Sequence, residues 1–232
     1  MISVMKRYEY KYILNKEQIK YLLNNLDGHM SLDNYGITSI QSLYYDTDNY
    51  ELIRNSIEGN SYKEKIRLRS YGLLKNNKSV FLELKRKSEG IVYKRRIESD
   101  VKRIDSFFNN ELSLNNNQIE KEISYFKNHY KCLNPKCLII YDRASYYEID
   151  GNLRLTIDYN PRYRIDNLRL DYSLDGNLLL DEGSAILEIK IQDSMPLWLS
   201  NILDKGHIYK SSMSKYGTCY KNVLHNLEVK TC

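Results

Sequence analysis

Polar and apolar residues alternate along much of the chain, and the period is most often two. In Lys65-Ile-Arg-Leu-Arg69 the basic residues fall on one side of an extended segment, with Ile66 and Leu68 on the other. The same alternation sets Glu83, Lys85 and Lys87 against Leu82 and Leu84, and Glu188 and Lys190 against Leu187, Ile189 and Ile191. Near the start, Glu9 and Lys11 alternate with Tyr8, Tyr10 and Tyr12; further on, Arg154, Thr156 and Asp158 oppose Leu153, Leu155 and Ile157. These patterns predict strands at about 6–14, 38–47, 62–73, 78–88, 90–99, 136–148, 153–159, 163–165 and 185–192. Asn76-Asn77 and Glu89-Gly90 supply turn chemistry, so the strands around them read as an antiparallel meander, and Asp150-Gly-Asn152 reads as a tight turn.

A helical period takes over at 16–27, where Ile19, Leu22, Leu23 and Leu26 share a face, and at 118–130, where Ile119, Ile123 and Phe126 stack. Further helices are predicted at 100–109, after Pro196, and from Lys215 to about Leu227. No internal repeat and no break in composition divides the chain, so residues 1–232 read as one domain. Roughly eight or more strands with flanking helices give an α+β class, and closure into a barrel would remove the exposed sheet edges.

Composition narrows the function by exclusion. With 42% hydrophobic and 28% charged residues the chain is of ordinary globular type, and its 22 tyrosines read as a compositional bias. No apolar run reaches the ~18 residues of a membrane span, and residues 1–12 lack the apolar stretch of a signal peptide. A cytoplasmic protein is expected, soluble or held at the inner face of the membrane by a membrane-protein partner in trans. Cys132 and Cys137 form a lone Cys-x4-Cys with only His129 near it, which falls short of a four-ligand zinc site. His29, His207, His225, Cys219 and Cys232 lie in unrelated contexts, and no Ser-His-Asp or Cys-His system is legible.

Charge adds the informative feature. The net charge is +5, yet residues 63–103 carry 14 Lys or Arg against 5 Asp or Glu, leaving the remainder net acidic. Taken singly, each charged strand face reads as solvated. Taken together, three Glu-x-Lys elements (Glu9/Lys11, Glu83/Lys85, Glu188/Lys190), the Arg67/Arg69 pair and the shared face of Lys94 and Arg96 read as a charged lining, tenable if an anion and a metal occupy it.

The ordered set Arg7-Tyr-Glu-Tyr-Lys-Tyr12, Leu43-Tyr-Tyr-Asp-Thr47, Ile66-Arg-Leu-Arg-Ser-Tyr-Gly72, Phe81-Leu-Glu-Leu-Lys-Arg-Lys87, Tyr141-Asp-Arg-Ala144, Arg154–Asp158, Leu187-Glu-Ile-Lys190 and Met213-Ser-Lys-Tyr216 resembles the polyphosphate polymerase (VTC) domain of the vacuolar transporter chaperone family, a branch of the triphosphate tunnel metalloenzymes. The resemblance implies an α+β fold, an antiparallel eight-stranded β-barrel tunnel with flanking helices. In its basic lining Lys11, Arg67, Arg69, Lys85, Lys94, Arg143, Arg154, Lys190, Ser214 and Lys215 would bind phosphate, with Lys11, Arg67, Arg69, Lys85 and Lys190 carrying catalysis. It implies Mn²⁺ or Mg²⁺ held by Glu188, with Glu9 and Glu83 as further carboxylates, and ATP and inorganic polyphosphate or triphosphate as ligands. The implied reaction is transfer of the γ-phosphoryl group of ATP to a growing polyphosphate chain.

Tunnel triphosphatases open with Glu-x-Glu-x-Lys, whereas here Arg7 stands where the first Glu would be, which favours the polymerase branch. Two other readings stay open: a tunnel triphosphatase, and a non-catalytic polyphosphate or nucleotide sensor. Nucleic acid is not expected, because Glu83 and Glu188 share faces with the cations.

Overall fold

The computed structural model describes residues 8–75, 79–89, 91–148, 151–192 and 194–226. In chain order the elements are β1 (Tyr8–Leu14), α1 (Lys16–Leu26), β2 (Met30–Asp46), α2 (Glu51–Ile57), β3 (Tyr62–Tyr71), β4 (Val80–Ser88), β5 (Ile91–Ser99), α3 (Val101–Phe108) and α4 (Gln118–Tyr130). There follow β6 (Asn134–Glu148), β7 (Arg154–Arg164), β8 (Asn177–Leu178), β9 (Ala185–Ile191), α5 (Leu197–Lys205), β10 (Lys210–Ser211), α6 (Lys215–Cys219) and a π-helical turn, Tyr220–Leu224. Three helices start on side-chain caps. Asn15 and Gln18 form a reciprocal capping box on α1, while Asp100 and Asn117 each accept an amide N–H at the heads of α3 and α4.

The strands form one antiparallel-rich sheet in the order β10-β1-β9-β7-β6-β2-β3-β4-β5, with β8 beside β7. Two expectations need correction. Among the described residues the sheet has ten strands and not eight, because two-residue pairings such as β8 and β10 show no periodicity that a sequence pattern can reveal. Nor is it a closed barrel among the described residues: β5 pairs with β4 alone, and β10 pairs only with Lys11 and Tyr12 of β1. Among the described residues no helix is long and apolar enough to cross a membrane.

The chain gathers into two compact units. The first takes Met1–Ser39, Tyr141–Arg162 and Leu178–Ser214; the second takes Ile40–Ile140, Tyr163–Asn177 and Lys215–Cys232. Both draw on interleaved stretches, so no linear shift in composition marks them. In the first unit Tyr12, Leu155, Ile157, Leu187 and Ile189 pack under α1 and α5 with Leu22, Leu26, Leu199 and Leu203. In the second, Leu43, Ile66, Leu68, Leu82, Leu84 and Ile97 pack under α3 and α4 with Ile104, Phe107, Ile123 and Phe126. Each sheet portion therefore buries its apolar face beneath helices and turns its charged residues to the other side.

Boundaries differ from expectation in instructive places. The segments 153–159 and 163–165 are one strand, β7. β2 starts at Met30, eight residues before the predicted strand. α2 was not anticipated: it has seven residues, and its N-cap, Tyr50, makes no capping bond. Asn76-Asn77, Gly90, Asp150 and Leu227 lie outside the described residues, as does Arg7.

Leu68 is fully buried, and Lys85 is exposed on the opposite side of the sheet. Leu68→Ala should cost about 2–5 kcal/mol in urea unfolding, and Leu187→Ala a similar amount in the first unit. Lys85→Ala should stay within about 0.5 kcal/mol of the parent. The reverse ranking of Leu68 and Lys85 would mean that the sheet faces are assigned the wrong way round.

Candidate functional site

Register places the basic residues of the second unit in rows. Across the β2–β3–β4–β5 portion, Tyr44, Arg67, Glu83 and Arg96 are consecutive partners. The next row is Lys65, Lys85 and Lys94, and on the other side lie Ser42, Arg69 and Phe81, with Glu98 opposite Phe81. Cross-strand partners on one face lie about 5 Å apart, so a row of three lysines concentrates positive charge along a line.

One carboxylate organises this face. Glu83 is 2% exposed and meets four cations. Arg67 donates Nε–H to Glu83 Oε2 at 2.9 Å and places NH2 at 2.8 Å, with Arg69 NH1 at 3.7 Å from the same oxygen. Lys94 Nζ is 2.7 Å and Arg96 Nε 3.8 Å from Oε1. Burial alone would raise the Glu83 pKa, but Arg67, Arg69 and Lys94 outweigh it and push the value down to about 2. The Arg96 guanidinium carbon also lies over Phe81, 3.7 Å from the ring centroid, and Arg67 donates NH1–H to the Tyr44 hydroxyl at 3.0 Å.

The first unit repeats the arrangement on a smaller scale. Lys11 lies opposite Glu188, and Glu9 opposite Lys190; on the far side of β9, Arg154 faces Lys190 and Thr156 faces Glu188. Lys11 Nζ is 3.3 Å from Glu9, and Lys190 is ion-paired with Glu188. The Glu188 pKa is lowered: burial opposes the charge, and Lys190, Lys11 and Arg143 overcome it. Arg143 donates to both oxygens of Asp158, at 2.6 and 2.8 Å. Ser214 ends the segments of the first unit and Lys215 opens α6 in the second, both half-buried. Two buried hydroxyls on the charged faces, Ser42 Oγ and Thr156 Oγ1, have no hydrogen-bond partner within the protein.

The family model for the VTC domain matches residues 6–224. The chain belongs to the VTC domain family. Solved structures of low identity share the antiparallel, sheet-rich α+β fold of this VTC domain. A candidate adenylate cyclase from Bacillus halodurans is 13% identical at a TM-score of 0.55, covering 90% of this chain and 94% of its own. A protein from Pyrococcus horikoshii is 13% identical at 0.53, covering 93% and 98%. A candidate adenylyl cyclase from Hippeastrum, described by a dominant triphosphatase activity, is 18% identical at 0.55, covering 91% and 93%. Among curated proteins, none matches the chain in sequence.

In this VTC domain, Arg67, Arg69, Lys85 and Lys94 of the sequence-predicted set gather in the second unit around or beside Glu83. Lys11, Arg143, Arg154 and Lys190 gather in the first unit around or beside Glu188. Sequence reasoning passed over Tyr44, Lys65, Thr156 and Ser42 as site residues. Strand parity could have found Lys65 and Thr156, which share faces with Arg67 and Arg154; Tyr44 and Ser42 needed the β2–β3 register. Among the described residues no three His, Cys, Asp or Glu side chains come together as metal ligands. Cys132 is exposed, and Cys137 lies buried with its sulfur 3.0 Å from that of Cys219.

Because the Glu83 pKa is lowered, its contribution to stability is complete above the ordinary value of 4.5 and is lost as pH falls from there to about 2. Glu83→Gln should cost about 2–4 kcal/mol near neutral pH, less than a fully buried pair because Lys94 and Arg96 are exposed. Urea unfolding between pH 6 and 2 should give a flatter acid profile for the variant. A variant with the parent's stability and acid profile would show that Glu83 does not hold this face together.

Proposed function

We propose that this VTC domain is an ATP-dependent polyphosphate polymerase, with the charged faces of the two units supplying its phosphate ligands. The observation that carries the reading is the register of the second unit, which sets the Lys65–Lys85–Lys94 row beside Arg67 and Arg96. Such rows offer a line of positive charge to a linear polyanion. Arg67 and Arg69 present planar forks to phosphate oxygens, and the lysines supply point charges.

The reaction joins the terminal oxygen of a polyphosphate chain to the γ-phosphorus of ATP and breaks the bond from that phosphorus to the β,γ-bridging oxygen, releasing ADP. The nucleophile is already ionised near neutral pH, so no protein base is required. What the chain must do is align two polyanions and offset their mutual repulsion. Arg67, Arg69 and Lys85 are the residues proposed for this on the second unit's charged face; Lys11 and Lys190 are their proposed counterparts on that of the first, taken by itself.

A divalent ion fits the residues in a restricted way. Glu188 offers one carboxylate, Thr156 a buried hydroxyl without a protein partner directly across from it, and Glu9 a second carboxylate diagonally placed. With so few protein donors, Mn²⁺ or Mg²⁺ would take its remaining ligands from phosphate oxygens and water, and would supply charge neutralisation. The triphosphatase reading draws on the activity named for the Hippeastrum protein. It requires a carboxylate able to orient water, Glu9 or Glu83; Glu83 is ion-paired through both oxygens, and Glu9 is exposed.

Purified protein with ATP and Mn²⁺ or Mg²⁺ should yield ADP and polymer in step. Free phosphate without polymer would replace this reading with the hydrolase, and binding without turnover with a sensor. Arg67→Ala should weaken ATP binding by about 1.5–3 kcal/mol. Glu188→Gln should abolish turnover and flatten the dependence of ATP affinity on Mn²⁺; an unchanged Mn²⁺ response would remove Glu188 from the metal site.

A further inference from the structure

Two of the sequence stretches quoted above contain residues that no phosphate contact explains: Asp46, which ends β2, and Tyr216, the second residue of α6. In the second unit they meet. Asp46 is fully buried. Its Oδ1 accepts the amide N–H groups of Thr47 at 2.8 Å and Leu52 at 2.9 Å; its Oδ2 accepts that of Ile53 at 3.1 Å and the Tyr216 hydroxyl at 3.0 Å. Asp46 thus caps α2 from outside, where Tyr50 makes no capping bond, and ties α6 to the same oxygen.

The chain of contacts continues toward the charged face. The buried Tyr216 ring stacks on Tyr44, with centroids 4.7 Å apart and planes 14° from parallel. The Tyr44 hydroxyl accepts Arg67 NH1–H at 3.0 Å, and Arg67 is the residue that grips Glu83 through Nε. An ordinary Ser or Asn at the N-cap would cap α2 without burying a carboxylate, and a Phe at 216 would fill the same volume. The arrangement present instead fixes the Tyr216 ring by its hydroxyl, and through that ring fixes Tyr44. Burial raises the pKa of both groups, and the Asp46 charge beside Tyr216 holds that phenol neutral, so it remains a donor.

We propose that Asp46 and Tyr216 are positioning residues that act through Tyr44 to hold Arg67 in the geometry that binds a phosphate chain. The inference rests on the second unit's charged face being a phosphate-binding surface, as read above. It assigns a task to two residues that touch no substrate.

The probe is inorganic tripolyphosphate, with its affinity measured by calorimetry for the parent, Tyr216→Phe and Tyr44→Phe. Each substitution is measured both alone and in the Arg67→Ala background, with urea unfolding alongside. Both substitutions keep the stacked ring and remove one hydroxyl. Each alone should weaken binding about fivefold, the worth of one hydrogen bond. In the Arg67→Ala background each should change affinity by less than about twofold, because the group they orient is gone. A purely structural role would lower stability while leaving affinity unchanged, or would cost the same factor in both backgrounds; either result overturns the inference. If Tyr216→Phe does not fold, Asp46→Asn, which replaces one of the two acceptor oxygens by a donor and so weakens the hold on the Tyr216 hydroxyl, decides by the same comparison. A parent that fails to bind tripolyphosphate overturns the functional reading, and this inference with it.

Discussion

Like charges set opposite one another in a sheet repel, and this chain places lysines in register across three strands. The strand spacing of about 5 Å brings their stems together, but Lys85 and Lys94 are exposed, so water screens the repulsion and leaves a modest cost per pair. The cost is tolerable because a carboxylate is built into each charged face. Glu83 sits at 2% exposure among Arg67, Arg69, Lys94 and Arg96, and Glu188 sits between Lys11 and Thr156 with Lys190 paired to it. These two anions offset part of the repulsion among the cations around them. The helices on the opposite faces supply the apolar burial that holds the strands in register.

The two carboxylates differ in what they leave open. Both oxygens of Glu83 are gripped by cations, which suits it to organise the face and not to activate water. Glu188 is ion-paired with Lys190, stands opposite an unpartnered hydroxyl and lies diagonal to a second carboxylate, Glu9. The sequence presents both residues in the same Glu-x-Lys frame; only their neighbours across the strands separate the two roles.

That difference marks the limit of what was legible in the sequence. Period-two alternation located the strands that carry Arg67, Lys85, Glu188 and Lys190 and told their charged faces from their apolar ones, since one face must be buried. It could not report which residue stands across from which. Tyr44 and Ser42 therefore went unnoticed, although both lie beside the arginines of β3. Strand count failed where pairing spans two residues, as in β8 and β10, and α2 escaped because its capping residue lies four positions before its N-cap. The two units stayed hidden because their segments interleave.

The central claim is that the charged faces are made to hold a phosphate polyanion, and thermal unfolding with added anion tests it most directly. Inorganic tripolyphosphate should raise Tm in a saturable way, by several degrees at about a hundredfold excess over Kd, and by more than sulfate at equal ionic strength. The Arg67→Ala and Lys85→Ala proteins should show a smaller rise. Equal shifts with sulfate and tripolyphosphate, undiminished in those variants, would mean that the lattice is only a solvated surface.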